Sequence, residues 1–84
     1  MTVRVRLFAA LRDVVGCDSF EIPAPQRLDV AGVTEVVRER FGDAAHAAVT
    51  AENVRVAINR EFVDGPYHLH DGDEIAFMPP ITGG

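Results

Sequence analysis

The spacing of hydrophobic and polar positions changes along this 84-residue chain and predicts a series of short elements. Near the start, Val3, Val5 and Leu7 alternate with other side chains, and this period of two predicts a strand with one buried face. The next residues, 9–15, are typical of a short helical turn that ends at Gly16. Alternation then resumes over residues 18–22, so we expect a second strand, paired antiparallel with the first.

One longer segment has helical spacing. Its apolar positions are Val30, Val33, Val37 and Phe41. Asp29 is a suitable N-cap in front of them and Gly42 a suitable stop behind them, which predicts the one substantial helix of the chain. Asp43 is expected to cap a further short helical turn over residues 44–51.

The second half of the chain returns to strand patterns. Residues 54–58 alternate, residues 61–63 form a brief apolar run, and residues 74–78 form a last strand, with turn residues at 64–66 and 71–73. The predicted order is strand, strand, helix, strand, strand, strand. Strands grouped around one helix favour an α+β fold with the helix across one face of the sheet, in a single domain spanning residues 1–84.

Composition narrows the classes of protein that the chain can belong to. The net charge is −5, which disfavours nucleic acid as a partner and favours a partner with a positive docking surface. No apolar run is long enough to span a membrane, and the first residues lack the apolar core of a signal peptide, so we expect a cytoplasmic protein. All eight basic residues are arginine. A chain without lysine offers no side-chain amine for self-linked chains.

The candidate chemistry lies in the terminal glycine pair. Gly83 and Gly84 have no Cβ atoms, so this ending suits a narrow channel and offers an unhindered carboxylate. A frayed terminus is the alternative explanation. Other reactive side chains carry weaker signals: Cys17 lies in a turn, and the pair His68 and His70 falls short of the three or four ligands of a metal site.

The two ends of the chain resemble a known family. The segments that carry the likeness are residues 7–16 (LFAALRDVVG), residues 56–59 (VAIN) and above all residues 69–84 (LHDGDEIAFMPPITGG). They are similar, along with the rest of the chain, to the small subunit of molybdopterin synthase, the MoaD type of the MoaD/ThiS sulfur carriers. Met78 stands where relatives commonly have an aromatic residue before the proline pair.

The resemblance implies a β-grasp, ubiquitin-like fold, with a mixed sheet of about five strands and one main helix. It implies a sulfur carrier that is itself non-catalytic. In this family an ATP-dependent, MoeB-type activating enzyme adenylates the terminal carboxylate, which becomes a thiocarboxylate and enters a MoaE-type large subunit. There the sulfur passes to cyclic pyranopterin monophosphate. By position Gly84 is the sulfur-bearing residue, no cofactor is bound, and the assembly is a heterotetramer around a large-subunit dimer.

The sequence also suggests how such a tail is presented. Pro79 and Pro80 fix φ and favour an extended course, so Ile81, Thr82 and Gly83 would thread into a partner's pocket. Four extended residues span about 13 Å. We expect residues 81–84 to be flexible until inserted.

Five further residues are candidates for partner contacts. Phe8 and Met78 fall on the strand face opposite the buried side chains, and Phe62 lies in the short fourth strand. Completion of a small core is the alternative for Phe8 and Phe62. Arg12 and Asp13, on the first helical turn, are candidates for ion pairs with a partner.

Other functions remain open on the sequence alone. A sulfur carrier of the same kind can serve thiamine thiazole, cysteine or another acceptor. A ubiquitin-like modifier would instead join its glycine to target lysines, and a simple binding module would carry the glycine pair by accident.

Overall fold

The computed structural model describes residues 2–23 and 27–79. The strands in these ranges are β1 (Thr2–Leu7), β2 (Ser19–Pro23), β3 (Leu28–Asp29), β4 (Arg55–Ile58), β5 (Glu61–Val63), β6 (His68–Leu69) and β7 (Glu74–Met78). The helices are α1 (Ala10–Val15), α2 (Val30–Phe41) and α3 (Asp43–Val49). None of these helices is long and apolar enough to cross a membrane.

Five strands form one mixed sheet in the order β2-β1-β7-β4-β5. The two central neighbours, β1 and β7, run parallel, and every other pair in this sheet is antiparallel. Because β1 and β7 come from opposite ends of the sequence, the middle of the sheet is formed by residues about seventy positions apart. The short strands β3 and β6 pair separately and antiparallel.

The helices cover one face of the sheet and close the hydrophobic core. The alternation predicted for β1 is confirmed, because Val3, Val5 and Leu7 are almost wholly buried. The core also takes in residues of β7, α2 and α3, and its largest fully buried side chains are Phe77, Leu7, Ile75, Val3, Val5, Val33 and Val37. This arrangement agrees with the predicted α+β class.

The main helix, α2, begins and ends where the sequence predicts. The Asp29 carboxylate accepts a hydrogen bond of 2.7 Å from the Gly32 amide and so caps the first turn. At the other end, the Gly42 amide donates to the Arg38 carbonyl. Packing also favours glycine at position 32 of this helix, since a Cβ atom there would lie only 2.9 Å from Leu28 Cδ1.

Two expectations from the sequence are wrong in detail. Asp43 does not cap the third helix: it is the first helical residue, Gly42 occupies the N-cap position, and no side chain caps that end. The helix ends at Val49, before the predicted end at residue 51. Strands β3 and β6 were not predicted, because two residues are too few to show a period of two.

Candidate docking surface

The chain leaves the sheet from its middle strand. β7 ends at Met78 between β1 and β4, and the Phe8 amide extends the ladder by donating to the Phe77 carbonyl at 3.3 Å. Pro79 follows and is half-buried. The predicted threading residues Pro80, Ile81, Thr82 and Gly83, the sulfur-bearing residue Gly84 and the flexibility of residues 81–84 lie outside the described residues.

One row of side chains crosses the face of the sheet that the helices leave uncovered. The strand registers place Arg6 beside Ala76, Ala76 beside Ala57, and Ala57 beside Phe62. Both alanines are buried, at 6% and 2% exposure, yet neither belongs to the core cluster described between sheet and helices. The larger neighbours in the row therefore cover them from the open side.

The aromatic residues of this face are exposed. Phe62 is 54% and Phe8 is 37% exposed, so the alternative that they complete the core is wrong. Met78 is half-buried and pairs in register with Arg55. We call the group that these side chains form the outer patch: Arg6, Phe8, Arg55, Ala57, Phe62, Ala76 and Met78.

Two arginines of the outer patch stack on its phenylalanines. The guanidinium carbon of Arg55 lies 4.0 Å from the centre of the Phe62 ring, and that of Arg6 lies 5.0 Å from the centre of the Phe8 ring. Such contacts are favourable cation–π pairs. Neither arginine was predicted from the sequence as a partner residue, although Arg6 is two residues from Phe8 and so on the same strand face.

The other two predicted partner residues lie on α1 and not on the sheet. Arg12 and Asp13 are both exposed there, as expected. Gly16 ends this helix with φ of 97°, a conformation that favours glycine. The structure thus brings Phe8, Phe62 and Met78 together on one face, and leaves Arg12 and Asp13 on the helix that follows Phe8.

The opposite end of β7 has a structural role. Asp73 accepts hydrogen bonds from the Asn59 side chain at 2.9 Å and from the His70 amide at 2.7 Å, and the Glu74 amide donates to Asn59 Oδ1. Asp71 accepts from the Thr2 amide. The Asp-Gly-Asp-Glu segment that contributes to the family likeness therefore joins the start of β1, the β4–β5 turn and the start of β7.

The electrostatics of Asp73 follow from these contacts. Burial of its carboxyl group by itself raises the pKa, but the hydrogen bonds from the His70 amide and the Asn59 side chain, together with the nearby His70 ring, outweigh that effect. The net result is a pKa below the ordinary value of 3.8. Asp73 is therefore ionised at neutral pH and serves as an acceptor.

The remaining reactive side chains do not converge. His68 and His70 are both exposed, and His70 Nδ1 lies 3.6 Å from Asp73 Oδ2. Cys17 is half-buried against the edge of the core. Within residues 2–23 and 27–79, no group of three or more His, Cys, Asp or Glu side chains is arranged to hold a metal ion.

Comparisons with known proteins agree with this architecture. The profile of the ThiS family matches residues 5–84. A protein of Escherichia coli (strain K12) named molybdopterin synthase sulfur carrier subunit is 33% identical over 84 residues, covering 98% of this chain and 99% of its own length.

Two solved structures share the fold. SAMP1 from Haloferax volcanii superimposes with a TM-score of 0.86 at 22% identity, covering all of both chains. A chain from the protein–protein complex of subunits 1 and 2 of molybdopterin-converting factor from Helicobacter pylori 26695 superimposes with a TM-score of 0.68 at 26% identity, again over all of both chains. The predicted β-grasp, ubiquitin-like fold is confirmed.

Proposed function

Since the chain belongs to the ThiS family, we propose that it is a sulfur carrier and the small subunit of a molybdopterin synthase. The end-to-end similarity to the Escherichia coli sulfur carrier subunit carries this proposal. The chain is a non-catalytic sulfur donor in this role, and the active site belongs to the large subunit.

The group that carries the sulfur in this role, here called the cargo site, is the terminal carboxylate of Gly84. A carboxylate is a poor acyl donor, so its oxygen first attacks the α-phosphorus of ATP, which releases pyrophosphate and forms an acyl-adenylate. Sulfide (HS⁻) then attacks the acyl carbon, AMP leaves with the acyl oxygen, and loss of the remaining proton gives the thiocarboxylate. Two easier steps thus replace one difficult step. The chain binds no cofactor, because the activating enzyme uses the ATP.

The position of Pro79, where the C-terminal tail begins, supports this role. Pro79 follows the central strand directly, so a rigid sheet holds the start of the tail. The outer patch lies on β7, on its neighbours β1 and β4 and on the edge strand β5, close to Pro79. In this arrangement the outer patch binds the partner while Ile81, Thr82 and Gly83 lead Gly84 into the partner's pocket.

Two protein partners belong to the proposal. The Helicobacter pylori structure is a complex of two subunits of molybdopterin-converting factor, which supports a MoaE-type large subunit as the partner here. The second partner is a MoeB-type adenylyltransferase, and the full assembly is a heterotetramer around a large-subunit dimer. Because the chemistry consumes ATP, we assign the protein to the cytoplasm.

Intact-mass spectrometry tests the proposed cargo site. The chain is incubated with the activating enzyme of its own organism, ATP and sulfide, and we expect a gain of about 16 Da as one oxygen is replaced by sulfur. The matched control lacks Gly84 and should gain nothing. An unchanged mass in the full chain, with an activator shown to be competent on another carrier, would refute the proposal.

A second measurement distinguishes the sulfur acceptor. Thiocarboxylated chain is mixed with the large subunit and cyclic pyranopterin monophosphate, and formation of the pterin dithiolene is followed. We expect product to form and the carrier to lose about 16 Da again. Sulfur delivery to a thiazole precursor or to a cysteine precursor, with no dithiolene, would instead support a carrier of another pathway. Conjugates with target lysines that depend on Gly84 would support a modifier.

A further inference from the structure

The two ends of the uncovered sheet face differ in charge balance. At the end away from the tail, Arg4 pairs with Glu21 at 3.4 Å and lies opposite Glu74 in register. At the tail end, neither Arg6 nor Arg55 has a carboxylate oxygen within 4.0 Å among the described residues. The outer patch therefore presents two guanidinium groups that form no ion pair with a described carboxylate, although the whole chain has a net charge of −5.

The rings hold these charges in place. Each guanidinium lies over a phenylalanine ring, Arg55 on Phe62 and Arg6 on Phe8. A guanidinium that stacks on a ring keeps its N–H groups free at its edge, where they match the two oxygens of a carboxylate. Because the stacked side chain has already lost much of its freedom, less entropy is lost when it binds a carboxylate.

Two small residues lie in the middle of the outer patch. Ala76 and Ala57 occupy the two central positions between Arg6 and Phe62, and both are buried. The larger side chains on either side cover both alanines, so a partner surface meets the arginines and phenylalanines of the outer patch and not the alanines beneath them. β7 alone separates β1 from β4, so these strands lie about 10 Å apart at a strand spacing of about 4.8 Å. Arg6 lies beside Ala76 and Arg55 beside Met78, so the two arginines are also offset by two residues along the strands and their backbones lie about 12 Å apart.

We propose that the outer patch recognises an acidic-rimmed apolar surface on the large subunit. Two carboxylates of that subunit bind Arg6 and Arg55, and an apolar side chain of the same surface packs against Phe62 and Met78. This inference rests on the proposed function, which names the large subunit as partner. The negative net charge favours a partner with a positive docking surface, whereas the outer patch favours a negative one. The reason is that the partner faces the local charge of the outer patch and not the total charge of the chain.

The test compares two double variants with the same change in net charge. Arg6→Gln with Arg55→Gln removes both stacked cations. Arg4→Gln with Arg27→Gln removes two exposed arginines from elsewhere, of which Arg4 is already paired with Glu21. Arg4, Arg27 and Arg55 are exposed and Arg6 is half-buried, and none of the four belongs to the hydrophobic core, so both variants should keep the far-UV circular dichroism spectrum of the parent chain.

The measurement is the dissociation constant for the isolated large subunit of the same organism, by calorimetry, at about 0.1 M and about 1 M NaCl. Over this range the Debye length falls from about 10 Å to about 3 Å. We expect the patch variant to bind at least about tenfold more weakly at low salt and to lose most of the salt dependence. The control should stay within about threefold of the parent.

Each other outcome overturns the inference. Equal weakening in both variants would mean that only total charge matters, and unchanged binding of the patch variant would mean that the arginines do not contact the partner. Failure of the parent chain to bind the large subunit would also overturn it. The mass gain at Gly84 is measured without the large subunit, so a failure of the docking surface and a failure of the carrier chemistry are distinguishable.

Discussion

At the scale of single residues, Asp73 and Asn59 show how a turn motif joins two distant segments of the chain. Asn59 has φ of 49°, in the left-handed region that asparagine tolerates better than most residues. In that conformation its side chain donates to Asp73 and accepts from the Glu74 amide. The β4–β5 turn is thereby joined to the start of β7.

The Asp73→Asn substitution tests this network. Replacing the carboxylate leaves an amide group facing donors, and we expect the free energy of unfolding at pH 7 to fall by about 1–3 kcal/mol. Because the pKa of Asp73 is lowered in the folded state, its contribution is complete above the ordinary value of 3.8 and is lost as the pH falls through the lowered pKa. The variant should therefore lose less stability than the parent on acidification.

Urea unfolding followed by circular dichroism, from pH 7 down to about pH 3, measures both effects. The exposed Asp64, at another turn, provides the control: Asp64→Asn should change stability by less than about 0.5 kcal/mol. Equal pH dependence in the Asp73 variant and the parent would contradict the assignment.

At the scale of elements, the edges of the sheet need protection from pairing with other chains. β2 pairs with β1 along one side only. On its other side, Arg40 of α2 donates a hydrogen bond of 2.9 Å to the Glu21 carbonyl, and its guanidinium lies 5.5 Å from the centre of the Phe20 ring. One side chain thus covers part of the exposed edge.

We expect Arg40→Ala to uncover this edge. The variant should lose about 0.5–1.5 kcal/mol of stability with the lost hydrogen bond and should associate at high protein concentration through β2. Sedimentation velocity over a concentration series measures the association. Glu39→Ala, at the neighbouring exposed position, is the control, and a variant at Arg40 that behaves like this control would exclude the protective role.

Sequence patterns predicted the elements wherever one face alone is buried. The alternation of Val3, Val5 and Leu7 predicted β1 for this reason. Alternation does not reveal the burial of Ala57, which lies on the face that the helices leave uncovered but is buried under larger neighbours. The outer patch combines residues 6–8, 55–62 and 76–78, and only the pairing of strands brings these segments together. Arg55 was missed because its stacking partner, Phe62, lies on the neighbouring strand and is visible only when the strand pairing is known. Arg6 was missed although its spacing from Phe8 is visible in the sequence.

At the scale of the whole molecule, cooperativity depends on β7. Its residue Ile75 is fully buried and lies opposite Val5 on β1 and Ile58 on β4. β1 from the start of the sequence, β4 from its second half and β7 from its end therefore share one set of contacts around Ile75. No half of the chain retains a complete core without the other half.

We expect Ile75→Ala to lower the free energy of unfolding by about 2–5 kcal/mol, and the graded control Ile75→Val to lower it by about 0.5–1.5 kcal/mol. Tyr67 is the only tyrosine and packs against the core. Its fluorescence and the far-UV circular dichroism signal should report the same unfolding midpoint in each variant. Two separate midpoints would show that the halves of the sheet unfold independently.

The parallel pairing of β1 and β7 also has a mechanical consequence. β7 is hydrogen-bonded on both sides, to β1 and to β4, along most of its length. A pull on the tail in the direction of β7 loads these bonds together, in shear, so they resist as a group and do not open one after another. A partner that grips the tail can therefore exert tension on Pro79 while the sheet behind it keeps its shape.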